Sequence, residues 1–397
     1  MKISYGKNVY GKEEINAVVN QLKKTTQMGP SVVKFENSIA KYFSKKYGLM
    51  VNSGSSAIML AIKVLGLKKG DEVIAPCLNF GTAISSLMHY GVLPVFVDIE
   101  ISSLQININQ IQKKITKKTK ALMIPNLIGN IPDWVKIRKI ANKYNLKIIE
   151  DSADTLGAKI NGVSSGHYSD MSITSFYGSH IINCAGNGGA LTLNNKKAIE
   201  RAKLLRSWGR SSSLFDEKSE AIENRFNIKL GKIDYDAKFV FETIGYNLEG
   251  SEIGAAFGLV QLKNLNKNIK IRQKNFMKQC NFFKKYEKYF TNPEEIKNAS
   301  TAWLAFPVLI KENAPFSRKD FQIYLEKQNI QTRVVFTGNI LRQPMMKNVI
   351  YKGKLKELPN SDNVMKKGVL LPVHHGMTDA MFKRLHKTID SFIEDFT

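Results

Sequence analysis

Gly54, Ser55 and Ser56 place two hydroxyl groups and a residue without a side chain at a point where the sequence pattern changes. They follow the apolar run LMV and open the helical pattern SAIMLAIKVL, so they are predicted to start a helix. Backbone N–H groups, the helix dipole and hydroxyls at such a start can bind an anion such as phosphate. An ordinary serine N-cap shows the same pattern and is the commoner case.

Two neighbouring acids, Glu150 and Asp151, end the apolar segment LKIIED. Ligands of open α/β sheets bind at the carboxyl ends of the strands, so an acid there can contact a ligand. It could pair with a protonated ring nitrogen or coordinate a metal ion. A helix N-cap or a carboxylate satisfied inside the protein explains the segment equally well.

A third segment, residues 172–193, carries a histidine between two predicted strands. Ser175 follows the first strand, His180 lies in a short loop, and the glycine-rich sequence AGNGG precedes the second strand. An imidazole has an ordinary pKa near 6.5 and is therefore suited to act as a general base. Tyr177, three residues before His180, could contact such a site or simply pack in the core.

The elements that must position these residues alternate between strand and helix patterns from residue 47 to about residue 193. This alternation predicts an α/β fold with a largely parallel sheet covered by helices on both faces. A long helical pattern spans about 251–290, and strands are predicted around TAWLAFPVLI and TRVVF. The pattern therefore predicts two domains, residues 1–265 and 266–397, joined by the long helix.

Composition narrows the class of protein. The formal net charge is +25, but only ten of the 59 basic residues are Arg, and the lysines are scattered rather than clustered with aromatics. A solvated surface therefore explains the charge better than nucleic-acid binding does. No uncharged apolar run approaches the roughly 20 residues of a membrane span, and the first residues resemble no secretion signal. We expect a cytoplasmic enzyme with neither nucleic acid nor membrane as partner.

The cysteines exclude several kinds of site. Cys77, Cys184 and Cys280 are few, odd in number and far apart. This pattern argues against a disulfide scaffold, a CxxC zinc site and a four-cysteine iron–sulfur cluster. His374 and His375 lack metal-ligand spacing with a third group, so we expect structural roles for them and no metal site.

The order of all these motifs resembles one family. NFGTAISSL precedes the histidine segment, and GYNLEGSEIGAAFGLVQL, TRVVFTGNILRQP and LLPVHHGMT follow it. Together they resemble the DegT/DnrJ/EryC1/StrS family of pyridoxal-phosphate sugar enzymes from end to end. The resemblance implies an aspartate-aminotransferase type fold (fold type I), with a large mainly parallel-sheet domain and a smaller α+β C-terminal domain. It also implies a homodimer with a shared active site.

The resemblance assigns residues to the phosphate of pyridoxal 5'-phosphate. Gly54, Ser55 and Ser56 match the family's phosphate-binding turn, and Ser175 matches a further phosphate contact. Asn247 matches a phosphate ligand that the other subunit usually provides.

The same resemblance assigns residues to the cofactor ring. Phe80 matches the aromatic residue that stacks on the pyridine ring, and Asp151 matches the acid that keeps the pyridine nitrogen protonated. Asp154 stands where many members have Gln near the ring hydroxyl.

His180 is the decisive departure from the aminotransferases of the family. They have Lys at this position, in an SFxxxK…GEGG pattern, whereas this chain reads SFYGSH and GNGG. No Lys occurs between Lys159 and Lys196, so a slip of register does not restore one. Imidazole forms no stable imine with the cofactor aldehyde, but it can still move protons. Within the family this pattern resembles the sugar 3-dehydratases, which use pyridoxamine 5'-phosphate.

Three widely spaced cysteines cannot supply the four-cysteine iron–sulfur cluster that one kind of 3-dehydratase in the family carries. The resemblance therefore favours the cluster-free members, which remove the C3 hydroxyl of GDP-4-keto-6-deoxymannose, take an amino group from glutamate and release ammonia. Their product is a 4-keto-3,6-dideoxysugar of the kind used for colitose in lipopolysaccharide O-antigens. An aminotransferase of 4-keto sugars is the alternative, and the sequence leaves GDP, CDP and dTDP open. Arg333 and Arg342 could bind the substrate diphosphate or the glutamate carboxylate, or form only salt bridges.

Overall fold

The computed structural model describes residues 1–215 and 221–396. Strands are short, mostly of five residues or fewer, and buried where they belong to the main sheet. Their bounds are β1 (Tyr47–Val51), β2 (Glu72–Pro76), β3 (Leu93–Val97), β4 (Thr119–Pro125), β5 (Lys147–Asp151), β6 (Lys159–Ile160), β7 (Val163–Ser164), β8 (Met171–Ser175), β9 (Gly189–Leu193), β10 (Ile228–Leu230), β11 (Ile233–Tyr235), β12 (Phe290–Thr291), β13 (Ala299–Ser300), β14 (Phe306–Ile310) and β15 (Gly368–Leu371).

Helices separate most of these strands and form the outer layers. Their bounds are α1 (Lys12–Leu22), α2 (Pro30–Tyr42), α3 (Gly54–Val64), α4 (Gly81–His89), α5 (Ile108–Lys114), α6 (Trp134–Lys143), α7 (Lys196–Arg206), α8 (Ile222–Arg225), α9 (Glu252–Phe283), α10 (Arg318–Lys327), α11 (Pro359–Lys367) and α12 (Asp379–Glu394). Among the described residues, no helix is both long and apolar enough to cross a membrane.

The main sheet has the strand order β1-β9-β8-β5-β4-β2-β3. Its inner pairs are parallel, and β9 runs antiparallel to both β1 and β8. Side chains of one strand alternate between two apolar layers. Val73 and Ala75 of β2 pack in the layer that contains α3 and α4, whereas Ile74 packs in the layer of α6. A strand buried on both faces reads as a continuous apolar run, and the observed sheet confirms the predicted α/β fold with a largely parallel sheet covered on both faces.

The long helix was predicted over about 251–290 and is observed as α9, which ends at Phe283. Ser251 caps its first turn, because the Ser251 hydroxyl accepts the Gly254 N–H. The carboxylate of Glu252 accepts N–H groups of Gly29, Ser31 and Val32 at the start of α2. Two helix starts that are far apart in sequence are thereby held together.

The C-terminal region has its own small antiparallel sheet, in the order β12-β14-β15, packed on α10 and α12. A strand predicted at TRVVF is wrong. Arg333 forms an isolated bridge with Leu370, after which Phe336 (φ 43°) and Gly338 (φ 62°) turn the chain. Tertiary contacts at this turn override the β-propensity of the two valines. The domain division at residue 265 stays a prediction.

Candidate active site

Most of the predicted site residues line one cavity at the carboxyl ends of β2, β4, β5 and β8. This inner cavity has a volume of about 250 Å³. Among the described residues that line it there is no lysine. The predicted residues that it brings together are Gly54, Ser55, Phe80, Asp151, Asp154, Ser175 and His180.

The start of α3 forms one wall of the inner cavity. A β-carbon at Gly54 would lie 2.7 Å from Ser175 Cβ and 3.2 Å from its Oγ, so only glycine allows β8 to come this close. Ser55 donates its hydroxyl to Thr82 Oγ1 at 3.1 Å. N–H groups of a helix start, glycine and two serine hydroxyls therefore meet at one place, which suits a phosphate.

Ser56, the third predicted member of this turn, does not line the inner cavity. Its side chain is buried and donates a 2.6 Å hydrogen bond to Asn52 Oδ1. Its backbone N–H is donated to the hydroxyl of Ser53, which caps α3. The serine N-cap that the sequence left open as an alternative is therefore Ser53, and Ser56 lies in the first turn of α3.

The structure also decides between the two neighbouring acids. Glu150 accepts hydrogen bonds from Asn126, Ser152 and Ser172 within the protein. Asp151, one residue later in β5, points to the other side of the sheet and lines the inner cavity. Burial, with a contribution from Glu150, raises the pKa of Asp151 to about 6. A buried carboxylate that no described cation pairs suits a ligand that brings a protonated nitrogen.

A second carboxylate, Asp154, lies in the same cavity and is held by a strained turn. Its Oδ2 accepts the Ile128 N–H at 2.8 Å. Ile128 has a left-handed backbone (φ 61°), which is rare for a β-branched residue. Burial raises the pKa of Asp154 to about 7, and Asp151 adds to this rise.

His180 lies in a turn just after β8, with its backbone N–H donated to Tyr177 O at 2.9 Å. Its Nδ1 is 3.4 Å from the carbonyl oxygen of Ser175, which can only accept, so Nε2 is left as the basic nitrogen. Burial and the nearby Arg272 guanidinium lower the pKa of His180 to about 4. The imidazole is therefore neutral at physiological pH and able to accept a proton.

Phe80 is the N-cap residue of α4 and keeps about half of its surface exposed toward the cavity. Its ring meets Phe336 edge to face, with ring centroids 6.1 Å apart. Phe336 also lines the inner cavity but was missed in the sequence, because it stands in the segment read as a strand. Both aromatic rings line the inner cavity, so a planar ligand could pack against them.

A larger, open cavity of about 1020 Å³ adjoins the inner one and shares Tyr177, Asn187 and Phe336 with it. Arg333 and Lys7 are the charged residues among the described ones that line this outer cavity, and both are cations. The Arg333 guanidinium lies 5.4 Å from the ring of Tyr5. The N-terminal residues were missed, since nothing in their spacing indicates a site.

The remaining two predicted residues lie away from both cavities. Arg342 forms a double hydrogen bond of 2.6 Å to Asp362, which is the salt-bridge alternative left open by the sequence. Asn247 is exposed and joins Ser207 in an isolated β-bridge. The described residues contain no group of three or more metal-ligating side chains.

Comparisons with known proteins agree with this arrangement. A family model described as DegT/DnrJ/EryC1/StrS aminotransferase family matches residues 9–390. GDP-4-keto-6-deoxy-D-mannose 3-dehydratase of Yersinia pseudotuberculosis is 32% identical over 349 residues, which cover 84% of this chain and 84% of the relative.

Two solved structures have the same architecture. The Escherichia coli GDP-4-keto-6-deoxy-D-mannose-3-dehydratase with bound hydrated PLP has a TM-score of 0.88 and 28% identity, covering 98% of this chain and 100% of the other. A GDP-4-keto-6-deoxymannose-3-dehydratase with a trapped PLP-glutamate geminal diamine has a TM-score of 0.87 and 27% identity, covering 97% and 99%.

Proposed function

The chain belongs to the DegT/DnrJ/EryC1/StrS aminotransferase family, and from this premise we propose that it is a pyridoxal-phosphate-dependent nucleotide-sugar 3-dehydratase. Its substrate is a GDP-linked 4-keto-6-deoxyhexose of the GDP-4-keto-6-deoxymannose type. The observation that carries the proposal is the inner cavity, which has the carboxylate pair and phosphate turn of a cofactor site but has His180 and no lysine among its described lining.

The residues of the inner cavity fit the cofactor. The start of α3 and Ser175 would hold the phosphate, Phe80 would cover the ring, and Asp151 would pair with the pyridine nitrogen. When bound, the protonated ring supplies an electron sink. Pairing with that cation also removes the cost of burying the Asp151 carboxylate, whose pKa is raised to about 6 without it.

His180 distinguishes elimination from amino transfer. Its imidazole is neutral and cannot bond covalently to an aldehyde in a stable way, so it acts as a base through Nε2. It takes a proton during the exchange with glutamate and again during removal of the C3 hydroxyl, and it can return that proton to the departing oxygen. A lysine, by contrast, would also deliver a proton to the sugar and leave the nitrogen there.

The overall reaction balances with glutamate as the reductant. The sugar loses its C3 oxygen and becomes a 4-keto-3,6-dideoxyhexose, while glutamate becomes 2-oxoglutarate and its nitrogen leaves as ammonia. The glutamate adduct in a solved 3-dehydratase supports this amino donor.

Arg333 and Lys7 give the outer cavity two cations and no described acid, which suits the diphosphate of the nucleotide sugar. The aminotransferase alternative needs a lysine at the cofactor. Lys159 and Lys196 are exposed, and neither lines the inner cavity.

A homodimer completes the proposal, with Asn247 reaching the cofactor phosphate of the partner. Residues near Asn247 expose large apolar side chains in a way that monomeric proteins rarely do. Phe241 is 59% exposed and Ile244 is 92% exposed. Mixing inactive His180→Asn chains with Asn247→Ala chains should restore activity, because one of the two sites in a mixed dimer is then intact. No restoration would exclude a shared site.

The product mass tests the proposal directly. The protein is incubated with pyridoxal phosphate, glutamate and GDP-4-keto-6-deoxymannose, and the nucleotide sugar is weighed by mass spectrometry while ammonia is assayed. A sugar lighter by one oxygen, with ammonia released, is expected. A sugar that keeps its C3 oxygen and gains an amino group would show an aminotransferase instead.

A further inference from the structure

The first residues of the chain form a strap, residues 3–8, that is anchored on the C-terminal region. Ile3 is fully buried and pairs in parallel with Ile330, donating its N–H to Asn329 O and accepting that of Gln331, both at 2.9 Å. Tyr5 N–H is donated to Gln331 Oε1 at 3.2 Å. These bonds fix the strap as part of the C-terminal sheet layer.

A histidine without a metal or catalytic partner strengthens the anchor. The buried His374 donates Nε2–H to the carbonyl oxygen of Ser4 at 3.1 Å. Burial lowers the pKa of His374 to about 4, so it stays neutral and keeps a single defined donor. His374 of LLPVHHGMT therefore has a structural role at the strap, whereas His375 accepts a hydrogen bond from Arg272 Nε at 3.2 Å.

The other end of the strap lies against the turn that carries His180. A β-carbon at Gly6 would lie 2.8 Å from Ser179 Cβ, 3.5 Å from Ser179 Oγ and 3.7 Å from Ser179 O. A β-carbon at Gly178 would lie 3.0 Å from Asn8 Nδ2. Strap and turn are thus packed without space for one methyl group, immediately beside His180.

Backbone bonds hold the start of this turn, because Tyr177 donates its N–H to Ser175 Oγ at 3.3 Å and Phe176 donates its N–H to Gly188 O at 2.9 Å. His180 donates its backbone N–H to Tyr177 O within the turn, and its ring contacts Ser175 O only at 3.4 Å. The Tyr177 side chain is 57% exposed. The contact with the strap is a further restraint, and it acts at Ser179, the residue before His180.

We propose that the N-terminal strap is a positioning element for His180, acting through the contact of Gly6 with Ser179, so that the C-terminal region sets the place of the base. This inference rests on the proposed role of His180. Gly6 is a positioning residue and touches no reacting atom. Its φ lies outside the left-handed region, so alanine is permitted there by the backbone and only the contact forbids it.

A double-mutant cycle tests the strap. Glutamate changes the absorbance of the bound cofactor, and Gly6→Ala should lower the rate of this change about ten-fold or more. The reason is that a displacement of about 1 Å at a catalytic base lowers the reaction rate strongly. In a Ser179→Gly background, which removes the opposing Cβ, Gly6→Ala should change that rate less than two-fold. Equal losses in both backgrounds, or no loss in either, would overturn the inference.

Gly11→Ala is the matched control. A β-carbon there meets only Glu14 Oε2, at 3.9 Å, so the rate should stay that of the wild-type protein. The Tm of each variant, measured by thermal unfolding, separates a displaced turn from a destabilised protein. A rate loss that follows Tm across the set of variants would contradict the proposal that the strap positions His180.

A second readout needs no turnover. Diethyl pyrocarbonate modifies accessible imidazoles, and peptide mass spectrometry gives its rate at His180. Gly6→Ala should change this rate several-fold, and Gly6→Ala with Ser179→Gly should return it to that of Ser179→Gly alone. An unchanged modification rate in Gly6→Ala would refute the proposal that the strap positions His180, whatever the product assay shows. The product mass tests the proposed function separately.

Discussion

The inner and outer cavities are built in different ways. The inner one is small, and its polar groups sit at strand ends and a helix start of one sheet, as Asp151 and Ser175 do. The outer one is about four times larger and is assembled from four distant segments, around Tyr5, Tyr177, Arg333 and Leu370. The proposed cofactor site thus depends on one sheet edge, whereas the proposed substrate site depends on how separate parts of the chain meet.

His180→Asn gives the largest expected effect and tests whether the inner cavity holds the chemistry. Removing the base should lower both the glutamate-dependent step and the release of ammonia about a thousand-fold, while the cofactor still binds. Stopped-flow absorbance and an ammonia assay measure the two rates. His180→Lys, in contrast, should give a borohydride-reducible cofactor adduct. Such an adduct in the wild-type protein would refute the assigned role of His180.

Asp151→Asn is expected to have the next largest effect. Asparagine keeps an acceptor for the Ala153 N–H, which Asp151 Oδ1 binds at 3.0 Å, but it cannot stabilise a protonated ring nitrogen. Losing one partner of a buried charge pair should weaken cofactor binding and slow turnover about a hundred-fold. Fluorescence titration with pyridoxal phosphate gives the affinity. Unchanged affinity and rate would place the ring nitrogen elsewhere.

The two arginines offer a matched pair for the outer cavity. Arg333→Gln should raise KM for the nucleotide sugar about ten-fold with little change in kcat, since a diphosphate contact contributes mainly to binding. Arg342→Gln should leave both within two-fold, because that guanidinium is bound to Asp362 on the surface. Steady-state kinetics on both variants measure KM and kcat. The reverse result would move the substrate away from the outer cavity.

Asp154→Asn gives the smallest effect and concerns stability without cofactor. The folded pKa of Asp154 is about 7, above its ordinary value, so the folded state binds the proton more tightly than the unfolded chain. Stability therefore falls as pH rises from about 4 to 7. Asparagine does not titrate, so it removes this pH-dependent loss of stability, and its side-chain oxygen can still accept the Ile128 N–H. We expect its Tm to exceed that of the wild-type by several degrees at pH 8 and to match it near pH 4, measured by scanning calorimetry; equal Tm values at pH 8 would contradict this.

The sequence predicted the inner cavity well because its residues are close to strand and helix boundaries. Asp151 and Ser175 are the last residues of β5 and β8, and His180 lies in the turn after β8. Parallel strands bring their carboxyl ends to one edge. The position at a strand end could not choose between Glu150 and Asp151, although the family resemblance assigned Asp151. Side-chain alternation along β5 made that choice, and it depends on which face the helices cover.

The sequence did not predict most of the residues that line the outer cavity. Arg333 and Arg342 belong to one motif, and nothing in the sequence assigns them different roles. In the structure, Arg342 forms a salt bridge with Asp362, whereas the Arg333 guanidinium lies over the ring of Tyr5. Phe336 was read within a strand, because a run of valines favours one and the turn that replaces it depends on contacts with distant residues. Thr337, for instance, donates its hydroxyl to Asn79 O at 2.7 Å.

What the sequence determined by itself is the α/β order of elements, the family and the residue types at the cofactor site, including the histidine in place of lysine. These follow from local periodicity and from motifs a few residues long. What the tertiary structure decided is the position of the N-terminal strap against Ser179 and the different contacts of Arg333 and Arg342. Such contacts join residues up to several hundred positions apart, and no local pattern encodes them.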